Sequence, residues 1–159
     1  MPDFTTQGVL HSINISNGGV PKLPTWSAEI TTIGLLGDKQ RNQKLHGGPL
    51  KAVCLFSWEI ITALQNQGHS LQAGSLGENL TIKGLAWELA IPGKQLHIGD
   101  VTLKIESFAP PCKTIAHFFI NKNYHPISPE HQPGHCRVYA SVVKTGSVYL
   151  GDKVLLQNI

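Results

Sequence analysis

Cysteine is scarce in this 159-residue chain: Cys54, Cys112 and Cys136 are the three present, and none belongs to a Cys-x-x-Cys pair. An odd, small number without that spacing argues against a disulfide framework. Charge is also sparse. Charged residues make up 14% of the chain, the formal net charge is +3, and no run of lysine or arginine forms a stripe for nucleic acid. A local anion site is the more economical use of that charge. No stretch approaches the length of a membrane span, and the start, MPDFTTQGVL, lacks the basic region and apolar core of an export signal. A soluble cytoplasmic protein without nucleic-acid or membrane partners is expected. Low-complexity tracts are absent, and the two similar segments IGDVTLKI and LGDKVLLQ are too short to argue duplication.

What the chain does have is turns. Its 16 glycines and 10 prolines are spread along the sequence, and 41% of residues are hydrophobic, enough for one core in a single domain spanning 1–159. Strands are expected at 8–16, 27–33, 51–56 and 80–82, as a pair within 94–108 joined by Gly99-Asp100, and at 137–143, 146–150 and 153–157. The run Ala52-Val53-Cys54-Leu55-Phe56 reads as a strand buried on both faces, with Cys54 as a packing residue. The clearest helix starts at Ser57, a good N-cap, carries Glu59 in its first turn and Ile60, Ile61 and Leu64 on one face, and stops at Gly68. A short helix is expected after Cys112. Roughly eight short strands with one or two peripheral helices predict a mostly β fold, a barrel or closed sheet.

Three constellations carry chemistry. Pro110-Pro111-Cys112-Lys113-Thr114 places a thiol at a strand-to-helix junction beside a cation, and both the helix start and Lys113 favour thiolate. A thiolate can attack, carry sulfur or bind a soft metal; the bland alternative is an inert, buried cysteine. His46-Gly47-Gly48-Pro49-Leu50-Lys51 sits in a long polar loop and combines an imidazole, two glycine amides and an ammonium, a set able to hold an anion. Gly77-Glu78-Asn79 offers a turn whose carboxylate would orient a histidine or lysine, while Asn79 fits a turn cap as well as a ligand contact. His131, His135 and Cys136 do not make a zinc pattern, and the polar segment 121–134 reads as a mobile loop near Cys112.

Taken in order, Gly37-Asp38, His46-Gly47-Gly48 with Lys51, Gly77-Glu78-Asn79-Leu80-Thr81, Gly99-Asp100, Pro111-Cys112, Arg137 and Gly151-Asp152 resemble the MOSC domain family, named for the C-terminal domain of molybdenum cofactor sulfurases. The likeness runs over about 8–156 and implies a stand-alone domain built on a strongly bent β-barrel. It also implies binding of the molybdenum cofactor (molybdopterin), with Cys112 as molybdenum ligand or persulfide carrier, and a family association with pyridoxal phosphate. Lys51, Arg137, His46 and the Gly47 and Gly48 amides match positions able to receive the cofactor's phosphate, and Gly77, Glu78, Asn79 and Lys113 complete the expected cofactor-binding set. One feature departs from the family: Phe108-Ala109-Pro110-Pro111-Cys112 lacks the arginine that often precedes the Pro-Cys pair.

The leading expectation is therefore a cofactor-binding or sulfur-carrying protein, with Cys112 and His46 as the reacting residues. An oxidoreductase form would reduce N-hydroxylated substrates with electrons from a separate redox partner, and a sulfur-carrier form would need a sulfur-donor protein. Two rivals stand beside it: a metal-free transferase or hydrolase in which Cys112 attacks and His46 is its base, and a non-catalytic module for a small anion. Whether the protein forms a homodimer is open at this level.

Overall fold

The computed structural model describes residues 4–39 and 48–157. Among these, the strands are β1 (Phe4–Ile15), β2 (Leu23–Thr25), β3 (Ser27–Thr31), β4 (Gly34–Leu35), β5 (Val53–Ser57), β6 (Leu80–Lys83), β7 (Gln95–Ile98), β8 (Val101–Ala109), β9 (Arg137–Lys144), β10 (Gly146–Tyr149) and β11 (Lys153–Gln157). One α-helix, α1 (Trp58–Asn66), and several short 3-10 helices accompany them. Seven strands close into a barrel in the order β11-β7-β8-β9-β5-β6-β1, with β1 returning to pair with β11. The barrel is mixed, because β5 and β6 run parallel, joined through α1, while the other pairs are antiparallel. β2 extends the sheet beside β1, and β10, β3 and β4 make a separate small sheet.

Closure depends on the length of β1. Its residues 4–9 pair with β11, 9–13 with β6 and 13–15 with β2, with a register shift between Leu10 and Ser12. One strand thereby serves three neighbours, and closure leaves no edge between β1 and β11 for another chain to join. Leu10, Ile13, Leu55, Leu80, Ile82, Leu96, Ile98, Leu103 and Leu156 are fully buried and form the core.

Local chemistry explains most element boundaries. Ser57 caps α1 by accepting from the Ile60 N–H at 3.3 Å, and Ile61 and Leu64 are buried while Ile60 is half-buried. The strand expected at 51–56 begins at Val53 because Pro49–Lys51 form a 3-10 turn first. β2 and β4, of three and two residues, are too short to display alternation and escape a sequence reading. The segment 121–134, expected to be a mobile loop, instead contains 3-10 turns at Ile120–Lys122 and His125–Ile127, and Ile127 and Ser128 are buried. Its apolar residues, spaced too widely to show a period, are what anchor it.

Candidate functional site

β5, β8 and β9 bring the central residues together. Arg137 and Tyr139 alternate onto one face of β9, Cys54 of β5 lies directly across from Tyr139, and Ala109 of β8 lies across from Arg137. Cys54, Ala109 and Tyr139 form a small buried cluster of their own, apart from the main core. Past Ala109 the chain runs through Pro110 and Pro111 to Cys112, which is half-buried and stands at the N-cap of the 3-10 helix Lys113–Phe118. The Cys112 Sγ is 2.6 Å from Thr114 Oγ1, so the hydroxyl can donate to the sulfur when the thiol is ionised. Lys51 ends its 3-10 turn with Nζ 5.3 Å from the Tyr139 ring centroid, in cation–π range. Lys113, the next residue in the chain, is exposed. Gly48 adopts φ 93, a conformation glycine supplies without strain, and an added Cβ would meet no atom of the described residues within 4 Å. His46 and Gly47 lie outside the described residues.

Arg137 is committed to the scaffold. Its Nη1 donates to the Leu76 carbonyl at 2.7 Å and its Nη2 to the Pro110 carbonyl at 3.1 Å, so one buried guanidinium ties the turn before β6 to the segment leading into Cys112. Its Nε is buried without a hydrogen-bond partner among the described residues. Glu78 is fully buried, with Oε2 accepting from Thr81 Oγ1 at 3.2 Å and Oε1 without a hydrogen-bond partner among the described residues. Burial pushes its carboxyl up to about 6, against the downward pull of the Gly74 and Glu78 N–H groups, Arg137 and Thr81. Burial also pushes the Cys54 thiol up to about 11, only partly offset by Arg137, so Cys54 is a neutral packing residue as its sequence context suggests. The Tyr139 phenol is raised as well, by burial first and then by Cys54.

Asn79 is spent inside the protein. Its Oδ1 accepts from the Cys54 N–H at 3.0 Å, and its Nδ2 donates to the Asn14 carbonyl at 3.3 Å and to Asp38 Oδ2 at 2.9 Å. Asn14, in turn, donates from Nδ2 to the Glu78 carbonyl and to Thr81 Oγ1. Asp38 also pairs with Lys22, whose Nζ lies 2.7 and 2.9 Å from its two carboxylate oxygens, with both side chains buried. Gly77-Glu78-Asn79 and Gly37-Asp38 are therefore two halves of one internal polar network. Gly74 completes the turn at φ +87, where an added Cβ would fall 2.2 Å from the Lys22 carbonyl oxygen. No such partnering is visible in the spacing of these motifs, because Lys22 and Asn14 belong to none of them.

The buried carboxyl of Glu78 makes stability pH-dependent with a definite sign. Between 4.5, where the unfolded side chain ionises, and about 6, where the folded one does, the native state retains a proton that the unfolded state has released. Stability from this group therefore falls as pH rises through that window, by about 2 kcal/mol in all, and is level above it. Glu78→Gln is expected to remove this component. Urea unfolding of both proteins across the window measures it, and a difference between the two curves that stays constant with pH would rule the effect out.

No group of three or more His, Cys, Asp or Glu among the described residues is arranged to hold a metal. In the segment 125–136, the His125 and His131 rings stack with centroids 3.7 Å apart, and Cys136 is buried with its thiol raised by that burial. Among the described residues, Cys112 is the one half-buried cysteine, and it is set on a closed mixed barrel. The MOSC domain profile matches residues 42–155. The chain belongs to the MOSC domain family.

The MOSC match starts after β4, so the first four strands lie before it. This MOSC domain is 29% identical over 94 residues to protein YiiM of Escherichia coli, an alignment covering 57% of this chain and 42% of YiiM. It is 29% identical over 140 residues to the uncharacterized protein YflK of Bacillus subtilis, covering 87% of this chain and 62% of YflK. The chain therefore spans less than two thirds of the length of these relatives. Among solved structures, the YuaD protein of Bacillus subtilis superposes over 100% of both chains with TM-score 0.74 at 17% identity. YiiM from Geobacillus stearothermophilus superposes with TM-score 0.70 at 22% identity, over 94% of this chain and 74% of its own. At these identities the likeness establishes the fold, β1 to β4 included. The MOSC family is associated with the molybdenum cofactor.

Proposed function

We propose that this MOSC domain acts on the molybdenum cofactor, with the Cys112 thiolate as a protein ligand to molybdenum. The observation that carries the reading is the setting of Cys112: half-buried, at a chain junction braced by Arg137 through the Pro110 carbonyl, with Thr114 Oγ1 at 2.6 Å and Lys113 next in the chain. A soft sulfur donor suits a metal that prefers sulfur, and one cysteine suffices because the cofactor brings its own sulfur donors. Lys51 and Lys113 supply positive charge for the cofactor's phosphate, and Gly48 leaves room for it. When bound, the cofactor would supply two-electron redox chemistry. The chain's residues hold the thiolate, orient the segment that carries it and present cations; Arg137 serves chiefly to position rather than to bind. Reduction of N-hydroxylated substrates belongs to this reading, and each N–O bond reduced takes two electrons and two protons, the electrons from a separate redox partner.

A second form of the same reading makes Cys112 a persulfide carrier. Its thiolate would attack the terminal sulfur of a donor protein's persulfide, forming a new S–S bond while the donor cysteine leaves as thiolate. Cys112 is half-buried, which leaves the residue partly open to that attack. The test is molybdenum content, oxidised-pterin fluorescence and Cys112 persulfide mass in protein purified from a host that makes the cofactor. Molybdenum and pterin in equal amounts with the protein are expected. A persulfide on Cys112 without metal selects the carrier form, and neither metal, pterin nor persulfide under mild purification refutes the proposal.

A further inference from the structure

Arg137 and Glu78 are both buried, and each keeps one polar atom unpaired among the described residues. The two atoms are complementary: Arg137 Nε is a hydrogen-bond donor, and Glu78 Oε1 can accept. The chain holds the groups near one another. Arg137 Nη1 donates to the Leu76 carbonyl at 2.7 Å, and Glu78 lies two residues beyond Leu76, across Gly77 at φ 87. The guanidinium accordingly acts on the Glu78 carboxyl, and both groups act on the Cys54 thiol. The ion pairs among the described residues are nevertheless Lys22–Asp38 and Lys104–Glu106, so Glu78 and Arg137 stay apart. The side-chain partner of the Glu78 carboxyl is the Thr81 hydroxyl, which accepts from Asn14 Nδ2 at 3.1 Å and donates to Oε2 at 3.2 Å.

That arrangement suits a neutral Glu78. An uncharged carboxyl makes little demand on the guanidinium, which is left to hold the Leu76 and Pro110 carbonyls. An ionised one is a buried anion with an unpaired oxygen, and a buried charge is stable only when paired and hydrogen-bonded. Nε is the unpaired donor at hand. Because the guanidinium is rigid and planar, Nε cannot turn towards Oε1 without carrying Nη2 with it. Nη2 makes the longer of the two carbonyl bonds, 3.1 Å to Pro110, and that bond gives way first. We propose that Glu78 is a positioning residue for Cys112, acting through Arg137: a neutral Glu78 leaves the guanidinium bracing Pro110, and an ionised Glu78 draws Nε to Oε1 and releases the segment that carries the thiol. Burial, which pushes the Glu78 carboxyl up to about 6, brings the change near neutrality. The other titratable groups that act with Arg137 are Cys54 of β5, Cys136 before β9 and Tyr139 of β9, all kept neutral there by burial. Lys22 and Asp38, which also act on Cys54, are bound to one another. This link serves the thiol of the site proposed above and takes its functional meaning from that reading, but it operates without the cofactor.

The test is a pH titration of the full chain without added cofactor, read by NMR at the Arg137 Nε–H and at the backbone amides of Cys112, Lys113 and Thr114. All of these resonances should move together with one midpoint at about 6. Glu78→Gln keeps the shape of the side chain and removes its ionisation, so the shared midpoint should vanish. Both proteins carry His117→Gln, because histidines titrate near this range and His117 is exposed on the 3-10 helix Lys113–Phe118. A fixed Arg137 Nε–H, amides at 112–114 that stay still while Nε–H moves, or the same midpoint in a folded Glu78→Gln protein would each overturn the proposal. Molybdenum content is measured separately, so failure of this link and failure of the cofactor reading are told apart.

Discussion

Replacing Cys112 with alanine is expected to abolish molybdenum retention while leaving the fold intact. The Cys112 side chain makes no capping hydrogen bond to the 3-10 helix it precedes, and its polar contact is with Thr114, itself half-buried. Its removal should cost about 0.5 kcal/mol or less of stability, as for surface positions away from core or caps. Arg137 still links the Leu76 and Pro110 carbonyls in the variant, so the segment around position 112 keeps its course. Cys112→Ser separates two effects. Serine preserves a hydroxyl partner for Thr114 but presents a hard oxygen in place of a soft sulfur, so it too should lose the metal. Elemental analysis of both variants beside wild type, with thermal unfolding as the folding control, makes the measurement. Full retention of molybdenum by a well-folded Cys112→Ala protein would remove the thiolate from the coordination proposal and turn attention to Lys51 and Lys113.

Asp38→Ala is expected to destabilise the protein by about 3–5 kcal/mol, the cost of stranding one member of a buried ion pair. The carboxylate is 2% exposed and accepts from Lys22 Nζ, the Ser16 N–H at 2.9 Å and Asn79 Nδ2 at 2.9 Å. Alanine would leave a buried ammonium without its counter-charge and two further donors unsatisfied. For a domain with a total stability of about 5–15 kcal/mol this is a large fraction, and a melting-temperature drop on the order of 10 °C should follow. The double variant Asp38→Leu with Lys22→Met should recover part of the loss, since replacing both charges by apolar groups removes the stranded ion. Urea unfolding of the single and double variants tests this. A loss near 1 kcal/mol, or a double variant no more stable than the single, would show that the network contributes less than its geometry demands.

The same network explains why some residues were legible in the sequence and others were not. Ser57 announces its cap because the serine and the apolar residues it precedes are within one helical turn. Cys112 announces itself through neighbours in the chain, and the six-residue 3-10 helix stands where a short helix was expected. Asn79 fits a turn cap and a ligand contact equally by sequence, and only its three side-chain hydrogen bonds, with Cys54, Asn14 and Asp38, show its carboxamide to be occupied. Tyr139 went unnoticed beside Arg137, although alternation alone puts the two on one face. What could not be read was its pairing with Cys54, which is set by the β5–β9 register.

Sequence by itself determined the mostly β class, the position of α1 and most strand locations, because each rests on alternation, capping or turn chemistry within a few residues. Tertiary structure decided the closure of β1 onto β11, the turning of Asp38, Glu78 and Asn79 inward, and the use of Arg137 as a brace. It also gathered Gln65, His69 and Phe118, from α1, a loop and a 3-10 helix, around one cavity. The physical reason is the same throughout. A side chain's type states which hydrogen bonds and charges it must satisfy, but the partner that satisfies them is chosen by strand register and packing between segments far apart in the chain.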